Sequence, residues 1–179
     1  FVFYVNADDN FRGIVEKTEL AEQWGFHMIA PNQKGFSTAQ ITALMIDLAE
    51  TGEARGVIII LDTLKKFTYL MHKKESTEFG IISRSFVSAG GTLICLAHTN
   101  KHKNAEGKSI YSGTSDIRDD SDCAFIIDKV EGGIFQDEAA VEFVNDKARG
   151  DVADKVSFSY SKKHGQTYAD LVSSVKRLD

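Results

Sequence analysis

Apolar residues run without polar alternation from position 57 to 61 and stop at the carboxylate of Asp62. An unbroken apolar run of this length predicts a strand buried on both faces, as in a parallel sheet covered by helices. Similar short runs occupy residues 1–5, 26–30 and 92–97, and each is followed by polar residues or proline. The pattern therefore predicts four strands in the first hundred residues.

Apolar residues at helical spacing separate these runs. The first helix is predicted to begin at Phe11, after Asp9 or Asn10 as its cap, and to end at Gly25. A second is predicted between residues 38 and 52, and a third from about residue 76 to 90. Strands that alternate with helices are typical of an α/β fold with a parallel sheet.

The C-terminal half has a different pattern. Residues 99–121 are polar and glycine-containing, which predicts a long surface loop. Three strands are predicted at 123–128, 139–145 and 155–160, in antiparallel order, followed by a short helix near Leu171. With no internal repeat or linker, we expect one domain over residues 1–179, α/β in class, with a mainly parallel sheet flanked by helices and antiparallel strands toward the C-terminus.

Composition limits the partners. The formal net charge of −5 argues against a general surface for polyanions, so any contact with nucleic acid must be local. Two local basic groups stand out, the first in residues 65–74, which hold four lysines and no acid, and the second in the predicted loop. The candidate lysines are Lys65, Lys66, Lys101, Lys103 and Lys108. The alternative is a solvated linker and loop.

The cysteines and the apolar runs indicate the compartment. Cys95 and Cys123 lie inside apolar runs without metal-ligand spacing, so buried, reduced thiols are expected, which fits the cytoplasm. No apolar run approaches the ~20 residues of a membrane span, and no signal peptide is visible. The chain starts without Met in an apolar run, so we expect sequence before Phe1.

Three polar side chains lie at or just beyond the ends of predicted strands: Asp8, Asp62 and His98. Because the carboxyl ends of parallel strands share one sheet edge, we expect these groups to converge. Hard cations take oxygen ligands, so Asp62 is the candidate ligand for Mg²⁺. The alternatives are helix capping by Asp8 or Asp9 and a hydrogen-bonded His98 without a chemical role.

With these residues, the chain resembles the RecA-like P-loop ATPases, and within them the RepA-type and DnaB-type hexameric helicases, over residues 3–160. The resemblance implies that the strand ending in Asp62 is the Walker B element, with Asp62 and Thr63 at ATP and Mg²⁺. It implies that Asp8 is the general base, with Asp9 as the alternative, since Ala7-Asp8-Asp9 stands where that family has its catalytic Glu. His98 corresponds to the sensor between the γ-phosphate and the nucleic acid.

Two further segments take their roles from the same resemblance. The loop after the sensor strand contacts single-stranded nucleic acid in that family, and here it holds Lys101, Lys103 and Lys108. The turn 145–150 resembles a Lys-x-Arg-x-Gly turn whose Lys and Arg reach the γ-phosphate held by a neighbouring subunit in that family. Lys147 and Arg149 are therefore the candidate finger residues, which would contact the γ-phosphate across the subunit interface. The resemblance therefore implies a homo-oligomer, which is a hexamer in that family. A solvated turn is the alternative.

No Gly-x-x-x-x-Gly-Lys-Ser/Thr occurs in the sequence, so these residues alone are not expected to bind ATP as that family does. In the family this loop precedes the strand matched by residues 1–5, and we expect it upstream. Two functions stay open: a nucleic-acid-stimulated ATPase, as in a ring-forming replicative helicase or recombination motor, and a non-catalytic RecA-like module for binding or assembly.

Overall fold

A computed structural model describes residues 1–30, 36–68, 72–100, 115–130 and 137–178, and the side chains of these residues except 73 and 115–117. Its elements, in chain order, are β1 (Val2–Asn6), α1 (Phe11–Trp24), β2 (His27–Ile29), α2 (Ala39–Thr51), β3 (Ile58–Asp62), a 3₁₀ turn (Leu64–Lys66), α3 (Lys73–Ser88), β4 (Thr92–Leu96), α4 (Ser115–Asp120), β5 (Cys123–Val130), β6 (Glu138–Ala148), β7 (Lys155–Ser161), α5 (Tyr168–Ser173) and β8 (Lys176–Leu178).

The described residues form two compact units. The first contains residues 1–98 and 115–120, and the second contains residues 99–100 and 121–178. Helices and a parallel sheet make up the first, and an antiparallel sheet dominates the second. The predicted fold class is therefore confirmed, while a single domain over residues 1–179 stays a prediction.

The sheet of the first unit has the order β2-β1-β3-β4, and all its pairs are parallel. The register places Asn6 of β1 opposite Asp62 of β3, and Asp62 opposite Leu96 of β4. The carboxyl ends of these three strands therefore lie side by side. This alignment brings the polar residues that follow them to one edge.

The core of this unit lies between the sheet and two helices. Leu61 of β3 is fully buried, as are Met45 of α2 and Phe86 of α3. A Cβ on Gly91 would stand 2.4 Å from the Phe86 ring, so only glycine lets the start of β4 pass this close. Burial along β3 alternates, with Ile59 fully buried and Ile60 partly exposed. The unbroken apolar run predicts a strand buried on both faces, but only one face of β3 is fully buried.

The second unit has the order β5-β6-β7-β8 with antiparallel pairing, which confirms the three predicted strands. β8 is a strand that the sequence pattern does not predict. Its strand conformation depends on pairing with β7, which joins Leu178 to Ser157 in register. The short helix predicted near Leu171 is α5, and Val175 lies between α5 and β8.

Two helix predictions need correction. α3 begins at Lys73 rather than near Ser76. α4 lies inside the segment that was predicted to be only a loop, and its end is held by α3, since Arg84 donates a hydrogen bond to the backbone oxygen of Asp120. A contact between two helices that are distant in sequence is invisible to local periodicity.

The two cysteines differ from one another. Burial raises the pKa of the Cys95 thiol to about 12, in line with the predicted inert thiol. Cys123 is exposed at the start of β5, so its predicted burial is wrong. Both are free thiols. In the described part of the chain, no helix has the length and apolar character needed to cross a membrane.

Candidate active site

Two hydrogen bonds fix the start of the loops that follow β1 and β3. The Ala7 amide donates to the Asp62 carbonyl at 2.5 Å, which extends the β1–β3 pairing by one residue. The Thr63 hydroxyl, 2% exposed, donates to the Leu96 carbonyl at 3.0 Å and ties β3 to β4. The Asp62–Thr63 peptide bond is cis. The resemblance places Thr63 at the nucleotide, but in the structure its hydroxyl is bonded to the neighbouring strand.

Asp62 belongs to a compact group of side chains, named here the Asp62 cluster: Tyr4, Asn6, Asp9, Lys17 and Asp62. The Tyr4 hydroxyl donates to Asp62 Oδ2 at 2.5 Å. Asn6 Nδ2 donates to Asp9 Oδ2 at 2.9 Å and lies 3.4 Å from Asp62 Oδ2. One amide thus joins the two carboxylates.

A single ammonium group also reaches both carboxylates. Lys17 Nζ lies 2.5 Å from Asp9 Oδ2 and 4.0 Å from Asp62 Oδ2. The same Nζ is 3.5 Å from the Tyr4 hydroxyl and 5.6 Å from the centre of the Tyr4 ring. The Lys17 side chain is 16% exposed, which is low for a lysine and indicates a held position.

Asn6 also orders the loop between β1 and α1. Its Oδ1 accepts the amide hydrogens of Asp8 at 3.2 Å and Asp9 at 3.0 Å. The residue is 1% exposed, so these bonds satisfy a buried amide. The cap of α1 is Asn10, whose side chain accepts from the Gly13 amide, and this role therefore falls to neither Asp8 nor Asp9.

Asp8 faces away into a second, more exposed group, named here the Asp8 cluster: Asp8, Lys65, Lys66 and His98. Its Oδ2 lies 3.1 Å from His98 Nε2, and its Oδ1 lies 3.6 Å from Lys66 Nζ and 3.9 Å from Lys65 Nζ. An ionised carboxylate only accepts, so His98 carries its proton on Nε2 in this contact. The structure thus brings Asp8 and His98 together, as the strand tips had predicted.

These partners lower the pKa of Asp8 below its ordinary value. The hydrogen bond from His98 is the largest cause, partial burial opposes it, and the charges of Lys65 and Lys66 lower the pKa further. A general base works best with a pKa near the operating pH. The arrangement seen here therefore makes Asp8 a weaker base than an ordinary aspartate.

The donor set suits Mg²⁺ better than a metal that needs many side chains. No group of three or more His, Cys, Asp or Glu side chains in the described ranges could hold a metal ion. Mg²⁺ commonly uses one or two protein carboxylates and completes its shell with water and phosphate oxygens. Asp62 and Asp9 offer two such oxygens, and the Lys17 ammonium beside both shows that this position accommodates a cation.

Two of the other predicted residues, Lys147 and Arg149, belong to the second unit. Lys147 is in β6 opposite Ala124 of β5, rather than in a turn. Arg149 follows the strand, and its amide donates to the Asp122 carbonyl at 2.7 Å, with Nη1 4.0 Å from Asp122 Oδ1. Lys101, Lys103 and Lys108 fall outside the described residues.

Three members of the Asp62 cluster are not among the predicted site residues: Tyr4, Asn6 and Lys17. A signal existed for Lys17, because it lies one helical turn after Gly13, the third residue of α1. A Cβ on Gly13 would stand 3.1 Å from the Asp9 carboxyl carbon. The absent side chain therefore allows a close approach of Asp9 to the first turn of the helix.

Comparison with solved structures identifies the fold. The chain superimposes on a solved structure described as an ATPase domain with a TM-score of 0.58 and 12% identity, over 99% of this chain and 74% of that one. It also matches a DnaB-like replicative helicase, determined with its interactions with primase, at a TM-score of 0.56 and 14% identity, over 92% of this chain and half of that one. No family model and no curated protein matches the sequence. The chain has the RecA-like fold of DnaB-type helicases.

Proposed function

We propose that the chain supplies the catalytic strand tips of a RecA-like motor that hydrolyses ATP with Mg²⁺ when it binds single-stranded DNA, as in ring-forming replicative helicases. The observation that supports this most directly is the meeting of Asp8, from the tip of β1, with His98, from the tip of β4, beside Asp62 of β3. Carboxylates and an imidazole at this edge suit phosphoryl chemistry.

Asp62 is the residue that would hold Mg²⁺, with Asp9 as a second oxygen donor. The metal would offset charge on the phosphate oxygens when it is bound. The Tyr4 hydroxyl and the Asn6 amide donate to these carboxylates and orient them. In this proposal Thr63 contributes to the nucleotide site through its backbone and through the β3–β4 link that its side chain makes.

Asp8 is the proposed general base, and His98 is the sensor that controls it. Hydrolysis requires a carboxylate that orients and deprotonates the attacking water. Here that carboxylate is engaged by His98, Lys65 and Lys66, which corresponds to a resting state. A change at His98 would release Asp8 toward the water.

Single-stranded DNA would contribute to the release of Asp8 by weakening its ion pairs with Lys65 and Lys66. Lys65 and Lys66 are about half exposed and lie next to Asp8. DNA phosphates compete for such ammonium groups, because binding releases condensed counterions. Together with Lys101, Lys103 and Lys108 they form the proposed DNA contact, and drawing Lys65 and Lys66 away from Asp8 would link binding to hydrolysis.

Assembly into a homo-oligomer, proposed as a hexamer, would bring Lys147 and Arg149 to the site of a neighbouring subunit. A guanidinium pairs with phosphate oxygens as charge builds in the transition state, so Arg149→Ala should abolish hydrolysis and leave nucleotide binding largely intact. Mixing Arg149→Ala subunits with Asp62→Asn subunits should restore some activity. A mixture that forms mixed oligomers and stays inactive would contradict the finger role.

The decisive experiment measures ATP turnover of the full-length protein with Mg²⁺, with and without single-stranded DNA. Asp62→Asn should reduce turnover by orders of magnitude and leave folding nearly unchanged. Asp47→Asn is the matched control, because it removes the same charge from an exposed position on α2. No turnover at all would favour the non-catalytic module, and turnover that Asp62→Asn leaves unchanged would contradict the role proposed for Asp62.

A further inference from the structure

We propose that Lys17 is the internal counter-ion of Asp9 and Asp62, and that a divalent cation reaches these carboxylates only by displacing the Lys17 ammonium. This inference rests on the proposed function, since it concerns the same cation site. It goes beyond that function because it assigns a gating role to Lys17 of α1, a residue to which the proposed function gives no part.

The contacts place the Lys17 ammonium beside one oxygen of each carboxylate. Its Nζ is 2.5 Å from Asp9 Oδ2 and 4.0 Å from Asp62 Oδ2. A Mg²⁺ ion requires carboxylate oxygens at about 2.0–2.1 Å in a near-octahedral shell. An ammonium group and a divalent cation repel each other and cannot share these oxygens, so one must leave before the other binds.

The surroundings of Lys17 restrain the position of its side chain. Its side chain is 16% exposed, its Nζ is within 3.5 Å of the Tyr4 hydroxyl, and it lies over the Tyr4 ring. A lysine this far from water needs anionic and hydrogen-bonding partners, and the cluster supplies both.

Gly13 adds an independent argument. The Asp9 carboxyl carbon lies 3.1 Å from the point that a Cβ at Gly13 would occupy, so the missing side chain makes room for Asp9 against α1. Lys17 projects from the same helix one turn later, which aligns the ammonium with that carboxylate. Glycine in the first turn of α1 therefore lets Asp9 approach the helix beside Lys17.

The Lys17 ammonium lowers the attraction of this site for free cations. In the absence of a competing ligand, it offsets one of the two negative charges of Asp9 and Asp62 and keeps free divalent cations at low occupancy. Removing the ammonium leaves Asp9 and Asp62 facing each other with the neutral Asn6 amide between them. Two carboxylates that share one amide attract a divalent cation strongly.

The test uses Mn²⁺ alone, whose free and bound forms are distinguished by electron paramagnetic resonance, with the full-length protein and no nucleotide. Lys17→Met should bind Mn²⁺ at least several-fold more tightly than the wild type, and adding Asp62→Asn should remove the gain. Arg12→Met is the control, because it removes a positive charge from an exposed position on the same helix and should change nothing. Equal affinity of Lys17→Met and wild type, or a gain that survives Asp62→Asn, would overturn the proposal.

A second measurement needs no substitution. In the wild-type protein, titration with Mg²⁺ should shift the ¹⁵Nζ resonance of Lys17 in step with the carboxyl ¹³C resonance of Asp62, while Lys74 on the exposed face of α3 stays unchanged. A shift at Asp62 with no shift at Lys17 would refute displacement. Neither readout involves ATP or DNA, so a protein without ATPase activity that passed both tests would keep the counter-ion role and lose only the proposed function.

Discussion

Two carboxylate clusters share one edge of the parallel sheet but are held in different ways. In the Asp62 cluster, a hydroxyl and a buried amide donate to the carboxylates, and the cation, Lys17, is only 16% exposed. In the Asp8 cluster, the partners are two lysines and a histidine that are 45–58% exposed. The first is part of the packed structure, and the second is open to solvent and to competing ions.

Asp62 and Asp8, the residues after which the clusters are named, also differ in where they lie along the chain. Asp62 is the last residue of β3 and is paired on both sides, with Asn6 and Leu96. Asp8 and His98 lie beyond the ends of their strands, where the sheet no longer fixes the backbone. Asp9 lies in the same loop as Asp8 but is held in the packed cluster by Asn6 and Lys17.

The largest effect is expected when the packed cluster loses its central amide. Asn6→Ala leaves the Asp8 and Asp9 amides without their acceptor and should lower the free energy of unfolding by about 1–3 kcal/mol for the unsatisfied groups. Urea unfolding of the first unit measures this. Gln23→Ala, an exposed amide on α1, is the control and should stay within about 0.5 kcal/mol. Similar losses for both variants would show that the Asp62 cluster is not rigid.

A smaller effect is expected from Gly13→Ala. Alanine is normally favoured over glycine in a helix, by up to about 0.5–1 kcal/mol at interior positions, and part of this gain is expected at Gly13 in the first turn of α1. Here its Cβ would press against Asp9, which Asn6 and Lys17 hold in place, so the gain should be lost or reversed. In an Asp9→Ala background the obstacle is gone, and the same change should recover the ordinary gain. Full stabilisation in the wild-type background would mean that Asp9 moves freely.

The exposed cluster should matter less to stability. Asp8→Asn removes ion pairs with Lys65 and Lys66 that are open to water, and such pairs contribute about 0–1 kcal/mol. The loss should shrink further when unfolding is measured at about 1 M salt, since exposed charges are then screened. An Asp8→Asn loss as large as that of Asn6→Ala, and independent of salt, would erase the distinction between the two clusters.

The sequence predicted the parallel sheet well because its strands are short apolar runs between helices with clear ends. Gly25 illustrates this, since it ends α1 in a left-handed conformation at φ 74°, where glycine was expected as the stop. α4 and β8 were missed because both depend on partners distant in sequence, α3 and β7. Local pattern does not encode such docking.

The candidate site was predicted to a similar extent. Polar residues at strand ends led to Asp8, Asp62 and His98, because parallel strands align their tips. The partition into two clusters was not predictable, since it depends on which way the side chains of Asp8 and Asp9 turn. Asn6 orders the loop by accepting both of their amide hydrogens from a buried position. The Asp9 carboxylate contacts Asn6 Nδ2 and Lys17 Nζ, whereas the Asp8 carboxylate contacts His98, and the sequence pattern does not indicate these partners.

The smallest and most local effect concerns the titration of Asp8. The His98 hydrogen bond is the largest cause of its lowered pKa, so His98→Ala should raise that pKa back toward the ordinary value. A carboxyl whose pKa is lowered by folding adds stability above its unfolded pKa, and this stability is lost as pH falls through the lowered value. The wild type should therefore keep this small contribution to a more acidic pH than His98→Ala does.

Carboxyl ¹³C shifts followed from neutral to acidic pH measure this directly. Asp170 provides an internal reference, because its pKa is also lowered but by hydrogen bonds with Thr167, which His98→Ala leaves intact. If His98→Ala moves Asp8 and leaves Asp170 in place, the imidazole holds the carboxylate in solution as in the structure. If neither moves, the Asp8–His98 contact is absent in solution, and His98 cannot be the group that restrains the proposed base.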